Sequence, residues 1–202
     1  MENKKLSSDF TFFGKGYFSK KAGKIVPSTS PQGTVDIAWC GRYIKSDRAK
    51  WATEELRRRM SMSSDDDLRK FKLLNFEAVA GSGTFKRGCA SGLIERSQYI
   101  VLDVDDLSST EEARAVQRTL VADSSVETAL CFLSPKGHGT KWWVELPVWC
   151  MDMTFSEQYA ALSRYVGYEY GIQADLSCSN VNRLCFLPYD PDCFINAKYL
   201  SL

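Results

Sequence analysis

The 202-residue sequence holds one histidine, His138, and its seven cysteines include no Cys-x-x-Cys pair. Zinc sites are built from clustered cysteine and histidine, so this composition argues against one. The cysteine count is odd, and Cys131 in Ala129-Leu-Cys-Phe and Cys185 in Leu184-Cys-Phe lie in apolar runs, where a free thiol behaves as a small buried hydrophobe. A reducing, cytoplasmic setting is expected. No stretch reaches the length of a membrane span, and Met1-Glu-Asn-Lys-Lys is followed by polar residues, so neither a membrane anchor nor a signal peptide is expected. Net charge is only +1, which supplies no global field for nucleic acid. Such binding would have to use local patches, for example Arg69, Lys70 and Lys72, or Arg57-Arg58-Arg59, the latter reading more simply as a solvated helix face. Internal repeats and low-complexity linkers are missing as well.

What is present is ordinary globular composition, 44% hydrophobic and 25% charged, over a length that suits one domain with or without an N-terminal extension. Residues 1–33 alternate aromatics (Phe10, Phe12, Phe13, Tyr17, Phe18) with lysine and glycine, then run through Pro27-Ser-Thr-Ser-Pro31-Gln-Gly33. This predicts a ragged strand or hairpin and a loop, an extension packed on a domain of residues 34–202. Basic residues between aromatics can also bind single-stranded nucleic acid, a reading ranked behind packing. Thr34 is placed to cap a helix through Ile37, Cys40, Tyr43 and Ile44, Asp47 a second through Trp51, Leu56 and Met60, and Ser64 a third through Leu68 and Phe71. Residues 76–80 read as a short strand and 81–88 as a glycine-rich turn without the full P-loop pattern.

Further on, Ser109-Thr-Glu-Glu112 reads as a capping box before a helix with Ala113, Val116 and Leu120 inward. Residues 129–133 suit a strand covered on both faces. Residues 140–146 suit another, with Trp142, Val144 and Leu146 on one side and Lys141, Trp143 and Glu145 on the other. Phe155, Tyr159, Leu162, Val166 and Tyr170 predict a long helix closed by Gly171. Residues 182–187 predict a last strand with Arg183 opposite Leu184 and Phe186. The order is that of a layered α/β domain.

Between these lies Tyr99-Ile-Val-Leu-Asp-Val-Asp-Asp106, an apolar run that ends in acid. Strand alternation puts Ile100, Leu102 and Val104 on one face and Val101, Asp103 and Asp105 on the other. Two carboxylates side by side suit a hard divalent cation, which often takes just one or two protein carboxylates and leaves room for substrate phosphates. The plain alternative is a solvated turn entering a helix. Asp-x-Asp also marks a class of phosphatase nucleophile, but Asp106-Leu107 follows in place of a small hydroxyl residue and no acidic partner motif appears downstream.

Three features fall in order: Leu102-Asp103-Val104-Asp105, the turn Ser134-Pro-Lys-Gly-His-Gly-Thr-Lys141, and Asp175 followed by Asn182-Arg183-Leu-Cys-Phe-Leu-Pro-Tyr-Asp-Pro-Asp192. With Ile44-Lys-Ser-Asp47, Gly83-Thr-Phe85 and Leu93-Ile-Glu-Arg-Ser97, and over residues 34–196, the sequence resembles the VirE-type N-terminal domain of mobile-element proteins in Bacteroides-like bacteria, a branch of the archaeo-eukaryotic primase (primase-polymerase) superfamily. The resemblance implies an α+β, RRM-like core: a mainly antiparallel sheet backed by helices, with the site on its open face. It implies that Asp103, Asp105 and Asp175 ligate Mg²⁺ or Mn²⁺ and that Ser134, Lys136, His138, Lys141 and Arg183 hold an incoming nucleotide. It also implies nucleotidyl transfer on single-stranded DNA or primer-template, in replication or mobilisation of an integrated element, with a helicase as partner or fused domain. Lys141 stands where the superfamily has a histidine, and a lysine holds phosphate as a point charge. The alternative is a catalytically inactive nucleotide- or nucleic-acid-binding module of the same fold. Periodicity alone agrees in part, since it sets Asp103, Asp105, Lys141 and Arg183 each on the less apolar side of its strand.

Overall fold

The structure is a computed structural model that describes residues 6–200. Met1-Glu-Asn-Lys-Lys, the segment bearing on a signal peptide, lies outside the described residues. The chain opens with β1 (Phe10–Phe13), β2 (Tyr17–Ser19), β3 (Lys24–Val26) and β4 (Pro31–Val35), followed by α1 (Ile37–Lys45), α2 (Lys50–Arg59) and α3 (Asp65–Asn75). Then come β5 (Ala78–Ala80), β6 (Gly83–Phe85), β7 (Leu93–Arg96), β8 (Tyr99–Val104), α4 (Thr110–Val121), β9 (Thr128–Leu133), β10 (Thr140–Glu145), α5 (Phe155–Tyr170), β11 (Cys185–Phe186) and β12 (Phe194–Ile195). It is a mixed α/β fold with antiparallel sheets, as expected, and no helix among the described residues is long and apolar enough to cross a membrane.

Two four-stranded sheets carry it, in the orders β12-β9-β10-β8 and β11-β5-β1-β4. Alternation along the first sheet decides both of its faces. Ile100, Leu102, Trp142 and Val144 pack on Leu120 of α4 and on Tyr159, Leu162 and Val166 of α5. Tyr99, Leu130, Phe132 and Trp143 turn the other way, onto Phe10 and Val79 of the second sheet and Ile37, Tyr43 and Ile44 of α1. The Phe10 and Trp143 rings are 4.9 Å apart at the centre of that layer. Each such side chain stabilises the fold by roughly 1.5–3 kcal/mol relative to exposure. The face bearing the acids is therefore not open along its length, as the resemblance implied. The second sheet covers it as far as Val101 and Trp143, and only the end carrying Asp103 and Lys141 is left to form a cleft.

Several local expectations are corrected. Thr34 belongs to β4, paired with Thr11, so α1 is capped by Asp36, whose carboxylate accepts from the Trp39 N–H at 2.7 Å. Asp47 begins a single 3-10 turn, capped by Ser46, that leads into α2, and Trp51 is exposed. Residues 83–96 form the hairpin β6–β7 in place of a glycine-rich turn. Ser64 caps α3 as read, and Ser109 caps α4. The Glu112 carboxylate turns to Ser108, and a full capping box is found instead at Thr154 and Glu157, opening the helix that Gly171 closes at φ 67°.

Candidate active site

The antiparallel register of β8 and β10 sets Lys141 directly opposite Asp103. The Lys141 ammonium forms an ion pair with Asp103 and lies 3.5 Å from Asp105 Oδ1. Lys141 and Asp103 are nearly buried, while the Asp105 side chain is 40% exposed. Burial disfavours charge on Lys141, but the two carboxylates overcome it and hold the ammonium charged well above the usual lysine range. Burial pushes the Asp103 carboxyl up, Lys141 opposes this and Asp105 adds to it.

The turn after β9 is fixed from within. Ser134 N–H donates to Gly139 O and Gly137 N–H to Ser134 O, both at 2.8 Å, with Gly137 at φ 82°. Leu107 N–H donates to His138 O at 3.0 Å, tying the turn to the segment that follows the acids. Gly139 is required by close approach, because a Cβ there would lie 2.5 Å from Val104 O and 2.7 Å from Asp105 Oδ1. Asp106 takes the left-handed conformation at φ 58°, one that aspartate tolerates better than most residues, and turns the chain sharply out of β8.

These pieces border a cleft of about 890 Å³. Seven of the eight expected site residues line it: Asp103, Asp105, Ser134, Lys136, His138, Lys141 and Arg183. Arg183 does so from the turn before β11, since that strand begins only at Cys185, so it does not lie on the strand face expected for it. Asp175 is off the lining. Its N–H donates to Asp103 O at 2.8 Å, and the Cys178 thiol lies 3.4 Å from Asp103 Oδ2 and 3.2 Å from Asp175 Oδ2. Burial raises Asp175, but hydrogen bonds from Ser177 and Cys178 outweigh it and leave its carboxyl below the usual range. Among the described residues, no three Asp, Glu, His or Cys side chains converge closely enough to form a metal cage by themselves.

Sequence reasoning left two cations out of the site. Arg69 and Lys72 of α3 line the cleft, and the basic patch noted at residues 69–72 was the signal for them. Lys70 of the same patch pairs instead with Asp66, at 2.6 Å. Burial lowers Lys72, the neighbouring Lys136 and Lys141 lower it further, and Asp105 and Asp103 oppose them without restoring it. The reading of Arg57 as solvated is also corrected. Arg58 and Arg59 pair with Glu55, but Arg57 points inward and donates to Pro135 O at 3.3 Å, bracing the turn. Asp190 is equally structural: it pairs with Arg114 and accepts the Leu133 N–H at 2.8 Å.

Acids at the end of one strand pair and cations around them suit a polyanion such as a triphosphate, with or without a divalent ion. No curated protein and no solved structure matches the chain. A family model described as BT4734-like, N-terminal domain, matches residues 74–194, a span from the end of α3 to β12 that includes all eight expected site residues. The match covers more than half of the 202 residues, so the chain belongs to the BT4734-like N-terminal domain family.

Proposed function

We propose that the cleft binds a nucleoside triphosphate and that the chain is a primase-polymerase-like nucleotidyltransferase domain with an RRM-like core, acting on DNA. One observation carries this reading: the adjacent carboxylates Asp103 and Asp105, with Lys141 paired beside them, share a single cleft with Lys72, Arg183 and Lys136, the last paired with Asp65 at 3.3 Å. Asp103 and Asp105 suit Mg²⁺ or Mn²⁺, which needs only one or two carboxylates, and the Lys141 ammonium already stands as a positive charge against both. A divalent cation held there would supply Lewis-acid polarisation of the triphosphate. Lys72 and Lys136 would take the β- and γ-phosphates as point charges, and the His138 turn would follow the chain of phosphates. In the transfer, a 3′-hydroxyl oxygen bonds to the α-phosphorus and gives up its proton to solvent, the α–β bridge breaks, and the charge on departing pyrophosphate is met by these lysines.

Titration with a fluorescent nucleoside triphosphate in Mn²⁺ tests the reading. Lys72→Ala and Lys136→Ala should each weaken binding about tenfold, the worth of one charge-assisted contact. A wild-type protein that binds no triphosphate would overturn it. A second reading, a nucleotide-binding module without turnover, is favoured by the Lys141–Asp103 pair and by the engagement of the Asp175 carboxylate with Ser177 and Cys178. It predicts triphosphate binding with no incorporation.

A further inference from the structure

The β2–β3 hairpin stands apart from both cores. Tyr17 is 54% and Phe18 61% exposed, although neighbouring aromatics Phe10 and Phe13 are fully buried. Adjacent in a strand, the two rings point to opposite faces of the arm. Lys15, Lys20, Lys21 and Lys24 surround them, all exposed and none in an ion pair among the described residues. Between Asp9 and Asp36 the chain contains no acidic residue. The arm is also firmly seated: Gly16 N–H donates to Leu73 O at 2.7 Å, and a Cβ at Gly16 would lie 2.5 Å from Val26 O. Its return strand runs straight into Pro27, Ser28 and Thr29, which form the cleft wall together with Arg69 and Lys72.

We infer that this arm is a binding surface for single-stranded nucleic acid, the bases stacking on Tyr17 and Phe18 and the phosphates meeting the lysines, with the strand led along it to the cleft. Exposed aromatic faces among unpaired cations are what a single strand uses and a duplex, with its bases already stacked, does not. The surface stands on its own observations, and only the direction of the strand rests on the cleft reading.

Fluorescence anisotropy with a labelled 20-mer of thymidylate tests it on the full chain. Tyr17→Ala/Phe18→Ala should weaken binding at least tenfold. Lys20→Gln/Lys21→Gln should reduce the slope of log affinity against log salt by about 1.4, at ~0.7 for each phosphate no longer neutralised. A duplex of the same length should compete poorly. All four positions are exposed, so melting temperature and triphosphate binding should be unchanged in these variants. Arm variants that bind the 20-mer like wild type, or a duplex that competes as well as the single strand, would overturn the inference. Wild type that binds the 20-mer but no triphosphate would reject the cleft reading and leave the arm standing.

Discussion

Lys141 faces Asp103 across the β8–β10 pair and neutralises it in a nearly buried position. The ammonium is thus both a structural counter-ion and part of the cleft lining. Replacing one member of a buried pair leaves the other charge stranded, so Lys141→Met should cost about 3–5 kcal/mol in urea denaturation. Lys141→Met/Asp103→Asn should recover most of that loss. Equal instability of the single and double variants would show that the pair is not the cause.

Asp105 and Asp190 should separate function from fold. Asp105 is 40% exposed in the cleft, and Asp105→Asn should leave stability within about 1 kcal/mol. Asp190 has a fully buried side chain holding Arg114 and the Leu133 N–H, and Asp190→Ala should cost about 3–5 kcal/mol. The denaturation midpoints of the two variants check both halves of this contrast.

Gly139→Ala should damage the site through sterics alone, because the new Cβ would overlap both Val104 O and Asp105 Oδ1. Triphosphate affinity should fall at least tenfold, read by the same fluorescent titration. Gly23→Ala, in the hairpin turn with open space around it, should leave that affinity unchanged.

Stability should fall in alkali. Burial raises the thiols of Cys40, Cys131, Cys178 and Cys193, and pushes Cys185 up to about 12. A raised folded-state value means that the unfolded chain releases its proton first. The contribution is therefore complete below the free-cysteine value, about 8.5, and is lost as pH climbs toward the folded value. Each thiol should add to the fall across this window, because the unfolded chain gives up its proton first. Urea midpoints at pH 7, 9 and 10.5 should decline progressively, and Cys185→Ala should flatten the decline.

Much of this was legible because period two and period 3.6 leave strong marks where one face is buried. The acid strand, Trp142 against Trp143 on β10, and the stripe from Phe155 to Val166 all fell as read. Boundaries failed where tertiary pairing overrode local chemistry. Thr34 makes a plausible cap, but its backbone is committed to β1, and Gly83-Thr-Phe85 resembles a turn until β7 folds back on it. Strands of two residues, such as β11, are too short to show alternation, so the face of Arg183 could not be read from it. Lys72 and Arg57 lie on helices remote in sequence from the acids, and only the packing of α2 and α3 around the 134–139 turn brings them to the site.

The most direct test is incorporation of labelled nucleotide on a single-stranded DNA template with Mn²⁺, comparing wild type with Asp105→Asn, a change that spares the buried Lys141–Asp103 pair. Wild type should give product and the variant at least a hundredfold less, with stability still within about 1 kcal/mol of wild type. Equal product from both proteins, or none from a wild type that binds triphosphate and template, would contradict nucleotidyl transfer at these carboxylates.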